Sequence, residues 1–148
     1  MKLIVVATPE ELNLPAASVT DGEIRIVTGV GGVNVIRSLS NFPRDTEILN
    51  VGYCGSQWFP KDAEVQIGKC KLYHPNCEYQ EPCFRLSENE AMCLTAGDFV
   101  TDGQLPEHSV VDMELAYILA LGFHNVQATK YVSDNLNYQQ YEQTISNQ

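Results

Sequence analysis

The fold class is read from Met1-Lys-Leu-Ile-Val-Val-Ala-Thr-Pro-Glu-Glu11. Leu3 to Ala7 is an unbroken apolar run rich in β-branched residues, the pattern of a strand covered on both faces. Such a strand needs a layer on each side, as in an α/β domain. Thr8 then suits a helix cap and Pro9 the first helical position, so a short helix or turn is expected next. Glu11 therefore sits where a strand gives way to the following element.

The same alternation continues along the chain. Glu23 to Thr28 reads as a second strand, followed by Gly29-Val-Gly-Gly and a helix over Val33 to Leu39. A third strand, Glu47 to Val51, ends at the loop Gly52-Tyr-Cys-Gly-Ser. Asp62 to Phe84 is strand-like but interrupted by Gly68, Pro75 and Pro82, and Ala91 to Ala96 is a further buried strand. Val110, Met113, Ala116, Tyr117, Ala120 and Leu121 recur at helical spacing, which predicts a helix over Val110 to Leu121 stopped by Gly122. Val126 to Val132 is the last strand, and the polar segment from Asn135 to Gln148 is expected to form a short helix or fray. Strands alternating with helices, without repeats or linkers, predict a single domain over residues 1–148 with a three-layer, mostly parallel central sheet.

A chain of 148 residues is long enough to bury a real core, and 44% hydrophobic with 19% charged residues fits a globular protein. The net charge of −10 argues against nucleic acid or an anionic membrane as partner, since both attract clustered Lys and Arg. No apolar run is long enough to span a bilayer, and the first apolar stretch is too short for a secretion signal. Five cysteines, an odd number, fit reduced thiols in a cytoplasmic protein. Cys70, His74, Cys77 and Cys83 lie close in sequence, but their spacing matches no common zinc knuckle, and no metal is expected.

Glu11, Glu114 and Asp134 share one property: each follows or ends a predicted strand or helix boundary. An α/β sheet gathers such positions into a crevice at the carboxyl ends of its strands. Cleaving the bond between a ribose and a purine calls for three separate carboxyl duties. One protonates the departing base, one activates water, and one accepts hydrogen bonds from the ribose hydroxyls as positive charge develops on the sugar. Asp134, Glu11 and Glu114 suit these duties in that order. Singly, each has a plainer reading: Glu11 favouring a helix amino terminus, Glu114 on a solvated helix face, Asp134 capping the terminal helix.

The chain resembles the nucleoside phosphorylase and nucleosidase superfamily, most closely the methylthioadenosine/S-adenosylhomocysteine nucleosidases and futalosine hydrolases. The resemblance is carried, in the family's order, by the stretch to Glu11, Thr28-Gly-Val-Gly-Gly-Val-Asn, Asn50-Val-Gly-Tyr-Cys-Gly, Gly97-Asp-Phe-Val-Thr-Asp, Val111-Asp-Met-Glu-Leu-Ala and Val132-Ser-Asp. It implies hydrolysis of a purine nucleoside or 5′-substituted adenosine, with no cofactor. It also implies a homodimer, in which Tyr73-His74 lies near the interface. By position, the resemblance implies that Glu11 activates water, Glu114 holds the ribose hydroxyls and Met113 packs on the sugar. Asp134 protonates the purine with Ser133 beside it, Phe99 stacks on the base, and the backbone at Val100 reads the base edge. Tyr53 and Gly55 fall in the loop near the attacking water, and Lys130 falls where the family places an arginine.

Three departures define the alternatives. Tyr53 replaces the family's serine, Asn50 stands where related phosphorylases carry an arginine, and a helix expected between Phe84 and Ala91 is missing along with most of a long terminal helix. The first and last leave open a nucleoside-binding protein without catalysis. Phosphorolysis requires converging cations, and Arg25, Arg37, Arg44 and Arg85 stand in no phosphate-clamp motif. The Gly29-Val-Gly-Gly loop suits either an anion or an ordinary turn. Water is the expected nucleophile.

Overall fold

The computed structural model describes residues 1–73, 83–97, 100, 105–136 and 138–146. Strand β1, Lys2–Val6, lies between β2, Glu23–Val27, and β3, Glu47–Gly55, parallel to both. Its side chains alternate between two cores: Leu3 and Val5 enter one, Ile4 and Val6 the other. This two-sided burial is why the run carries no polar alternation. After β1 the chain forms 3-10 turns, Pro9–Asn13 and Pro15–Ala17, instead of an α-helix. Pro15 lacks the N–H that a continuing helix would use, so the first turn closes within five residues.

The third strand is longer than its sequence suggests. β3 runs through Gly52, Tyr53, Cys54 and Gly55 because β8, Asn125–Asp134, pairs with it in parallel from Glu47↔Asn125 to Gly55↔Asp134. The ladder skips a position between Cys54 and Gly55. The expected loop is thus strand, and the two glycines serve close packing instead of a turn.

The Val110 to Leu121 segment also divides differently. Ser109–Asp112 forms β7, parallel to β6, Ala91–Ala96, and only Leu115–Ala120 is helical as α2. Val110 fits helical spacing and a buried strand equally well, and the free edge of β6 decides for the strand.

The sheet is mixed, which corrects the expectation of a mostly parallel layer. β4, Glu64–Tyr73, runs parallel to β6 but antiparallel to β8 and to β5, Cys83–Arg85, while β3 meets β7 antiparallel at Gly55↔Val111. The pairings β3–β7–β6–β4–β8–β3 close a barrel-like ring, and β1 and β2 extend from its β3 side. Closure buries strand edges that an open sheet would leave unpaired.

Helix α1, Gly32–Leu39, packs on α2, where the Tyr117 ring lies so close over Gly32 that a Cβ there would be 2.7 Å from it. Helix α3, Tyr138–Ser146, packs on β8, and its Thr144 hydroxyl donates to the Ser133 carbonyl at 3.0 Å. As the sequence suggests, no helix lies between Phe84 and Ala91; β5 turns directly into β6. The ends of β1, β3, β7 and β8 meet on one side of the ring, where the predicted acids converge.

Candidate active site

Glu11 is held by backbone donors from the turn after β1 and from β3. One carboxylate oxygen accepts the N–H groups of Ala7 at 2.8 Å and Thr8 at 2.9 Å, and the other accepts that of Tyr53 at 2.7 Å. A Cβ on Gly52 would stand 2.7 Å from Glu11 Oε2, so the missing side chain makes room for the carboxylate. Glu11 is buried, and its position is set by that turn and β3 together.

Glu114 is the residue just before α2, and its Oε2 accepts the Gly31 N–H at 2.8 Å. Gly31 has φ +91°, a left-handed conformation that aims this N–H at the acid and favours glycine. Burial, reinforced by the charge of Asp112, pushes the Glu114 carboxyl up to about 7, against the partial opposition of Lys130 and the Gly31 N–H. A solvated helix position is therefore excluded.

Asp134 ends β8 and is buried. Its Oδ2 accepts the Ser133 hydroxyl at 2.7 Å and its Oδ1 accepts the Leu136 N–H at 2.8 Å. It does not cap α3, which begins at Tyr138.

These three carboxylates line one cavity of about 220 Å³, together with Tyr53, Gly55, Met113 and Ser133. Val100 lines an adjoining recess with Gly55, Met113 and Asp134. Phe99 and His74 lie outside the described residues. Tyr53 contributes its backbone to Glu11, and its ring packs against the core of Ile4, Val6 and Tyr131. Among the described residues no lysine or arginine lines the cavity.

Lys130 is 1% exposed and stands behind the cavity wall, its Nζ 3.0 Å from Asp112 Oδ2. Burial acts to lower the lysine's pKa, but Asp112, Cys93, Glu114 and Glu11 together outweigh it and hold the ammonium charged. Burial likewise works against ionised Asp112, yet Lys130, the Thr95 hydroxyl and the Leu115 N–H keep its carboxyl below the usual range. The pair is therefore ionic. Sequence reasoning passed over Asp112, although it lies inside Val111-Asp-Met-Glu-Leu-Ala. Its partners Thr95, Leu115 and Lys130 are gathered by the β6, β7 and β8 arrangement, which no local pattern displays. Burial raises the Cys54 thiol well above its ordinary value, which makes it a poor nucleophile despite its place in the wall. Among the candidate zinc ligands Cys70 is buried in β4 and Cys83 is exposed on β5, while Cys77 lies outside the described residues.

No family model matches the chain, and no curated protein matches it in sequence. Solved structures do match its fold. The MTAN of Chlamydia trachomatis superposes with a TM-score of 0.76 at 18% identity, over 99% of this chain and 87% of that one. A mutant Helicobacter pylori MTAN with 5′-methylthioadenosine in its active site gives 0.75 at 13%, over 99% and 91%. The futalosine hydrolase of H. pylori gives 0.74 at 14%, over the same shares. The chain has the fold of these nucleosidases.

Proposed function

We propose that this protein hydrolyses the N-glycosidic bond of a purine nucleoside or 5′-substituted adenosine, releasing free base and sugar. The observation that carries this reading is the convergence of Glu11, Glu114 and Asp134, from three separate elements, on one cavity. Asp134 protonates the departing purine, and the Ser133 hydroxyl at 2.7 Å fixes the carboxyl's orientation. Glu114 accepts hydrogen bonds from the ribose hydroxyls, with Met113 against the sugar. Glu11, anchored by three N–H donors, takes a proton from water as it attacks the anomeric carbon. Val100 borders the base, and Tyr53 and Gly55 border the water. Lys130 contributes its charge from behind the wall. The setting proposed is a cytoplasmic homodimer of a single nucleosidase-like domain. Among the described residues no helix is long and apolar enough to cross a membrane.

The charge of the cavity favours water over phosphate. A phosphate nucleophile would face Glu11, Asp112, Glu114 and Asp134 with no lining cation among the described residues, and Gly31 of the glycine loop already donates its N–H to Glu114. Assaying base release with and without phosphate tests the choice. Equal rates support hydrolysis, whereas strict dependence on phosphate with formation of ribose-1-phosphate refutes it.

A further inference from the structure

The Asp112 side chain has no solvent exposure and is held from three elements. Its Oδ1 accepts the Thr95 hydroxyl at 2.6 Å, and its Oδ2 accepts the Leu115 N–H at 2.8 Å and lies 3.0 Å from Lys130 Nζ. Thr95 Oγ1 in turn accepts the Ala116 N–H at 3.0 Å. The first turn of α2 is therefore capped from β6 and β7, by Thr95 and Asp112, and tied to β8 through Lys130. Glu114 is the residue on which that turn begins, two positions from Asp112.

We propose that Asp112 is a positioning residue, which locks Lys130 to the start of α2 and so fixes Glu114 against the sugar-binding part of the cavity. The proposal rests on the nucleosidase reading given above. Two consequences follow from the geometry. Without the cap, the Leu115 N–H loses its partner and the Glu114 carboxylate loses its fixed approach to Gly31. Without the carboxylate's charge, Lys130 loses its nearest counter-charge and keeps only the more distant Glu114 and Glu11.

The charged groups around Glu114 are Asp112 on β7, Lys130 on β8 and Glu11 in the turn after β1, with the Gly31 N–H from the loop before α1. Asp134 on β8 and the thiol of Cys54 on β3 share the cavity wall, and Cys93 on β6 lies against Asp112. Asp112 disfavours ionised Glu114 and Lys130 favours it. Neutralising Asp112 removes the first influence and leaves the second.

The test compares wild type with Asp112→Asn in three measurements: KM and kcat for a purine nucleoside, binding of the free purine base, and the acid limb of kcat/KM against pH. In Asp112→Asn the nucleoside KM rises on the order of tenfold. Free-base affinity stays within about twofold, because Glu114 meets the sugar and not the base. The acid limb moves to lower pH by about one unit. A folded Asp112→Asn with wild-type KM and an unmoved limb overturns the proposal, as does equal weakening of nucleoside and free base. If Asp112→Asn yields no folded protein, Thr95→Val decides on the same nucleoside-against-base comparison, because it releases Asp112 Oδ1 and leaves both charges in place. Selective loss of nucleoside binding supports the proposal, and wild-type nucleoside binding in Thr95→Val overturns it. A wild-type protein that binds and cleaves no nucleoside contradicts the functional reading itself, a result distinct from any difference between variants.

Discussion

The backbone N–H of Tyr53 donates to Glu11 Oε2 at 2.7 Å, joining the turn after β1 to the middle of β3. This contact requires the chain beside it to be bare, because a Cβ on Gly52 would come 2.7 Å from the same oxygen. Gly52→Ala is therefore expected to displace the carboxylate while sparing the strand, whose φ at this position is ordinary. Turnover should fall by about two orders of magnitude or more, with base binding retained. Steady-state kinetics beside isothermal binding of adenine separates the two effects.

Glu114 predicts a pH dependence of stability with a defined sign. Its carboxyl is raised from 4.5 to about 7 in the folded protein. Between those values the folded state holds a proton that the unfolded chain releases, so this group makes stability fall as pH rises through the window. Glu114→Gln should flatten that slope and leave the protein more stable than wild type at pH 8. Thermal melts from pH 4 to pH 8 check it, and parallel slopes for the two proteins would count against the buried, partly protonated acid.

The same acid predicts substrate behaviour. In the proposed reaction the ribose hydroxyls donate to the ionised carboxyl, so nucleoside KM should rise as pH drops below about 7. A 2′,3′-dideoxynucleoside, which offers no such donors, should show no corresponding trend. Competition assays at pH 5.5 and pH 8 provide the comparison.

Lys130 and Asp112 form a buried ion pair with 1% and 0% side-chain exposure. Removing one charge strands the other, which costs about 3–5 kcal/mol. Lys130→Met should lose stability on that scale in urea unfolding at pH 7. Lys130→Met combined with Asp112→Leu should recover much of the loss, without recovering activity.

Two of the acids sit beside a local signal in the sequence, an apolar run before Glu11 and a strand end at Asp134, whereas Glu114 reads as the interior of a helix and its place just before α2 appears only in the fold. The two-sided burial of β1 was legible for the same reason. What local pattern could not show is pairing. Gly52 to Gly55 looks like a loop until β8 lies alongside it, and Val110 looks helical until β6 offers an edge. The ring closure and the Asp112–Lys130 pair likewise depend on strands distant in sequence. The mixed direction of the sheet follows from β4, whose antiparallel pairing with β8 at Glu64↔Tyr131 leaves no trace in its own residues.

The central claim is tested most directly by incubating wild type and Asp134→Asn with a panel of purine nucleosides and 5′-substituted adenosines in phosphate-free buffer, monitoring free base. Wild type should release base from at least one of them, and Asp134→Asn should do so about 10²–10⁴-fold more slowly while still binding it. Equal release by the two proteins, or binding by wild type with no release on long incubation, would contradict the account.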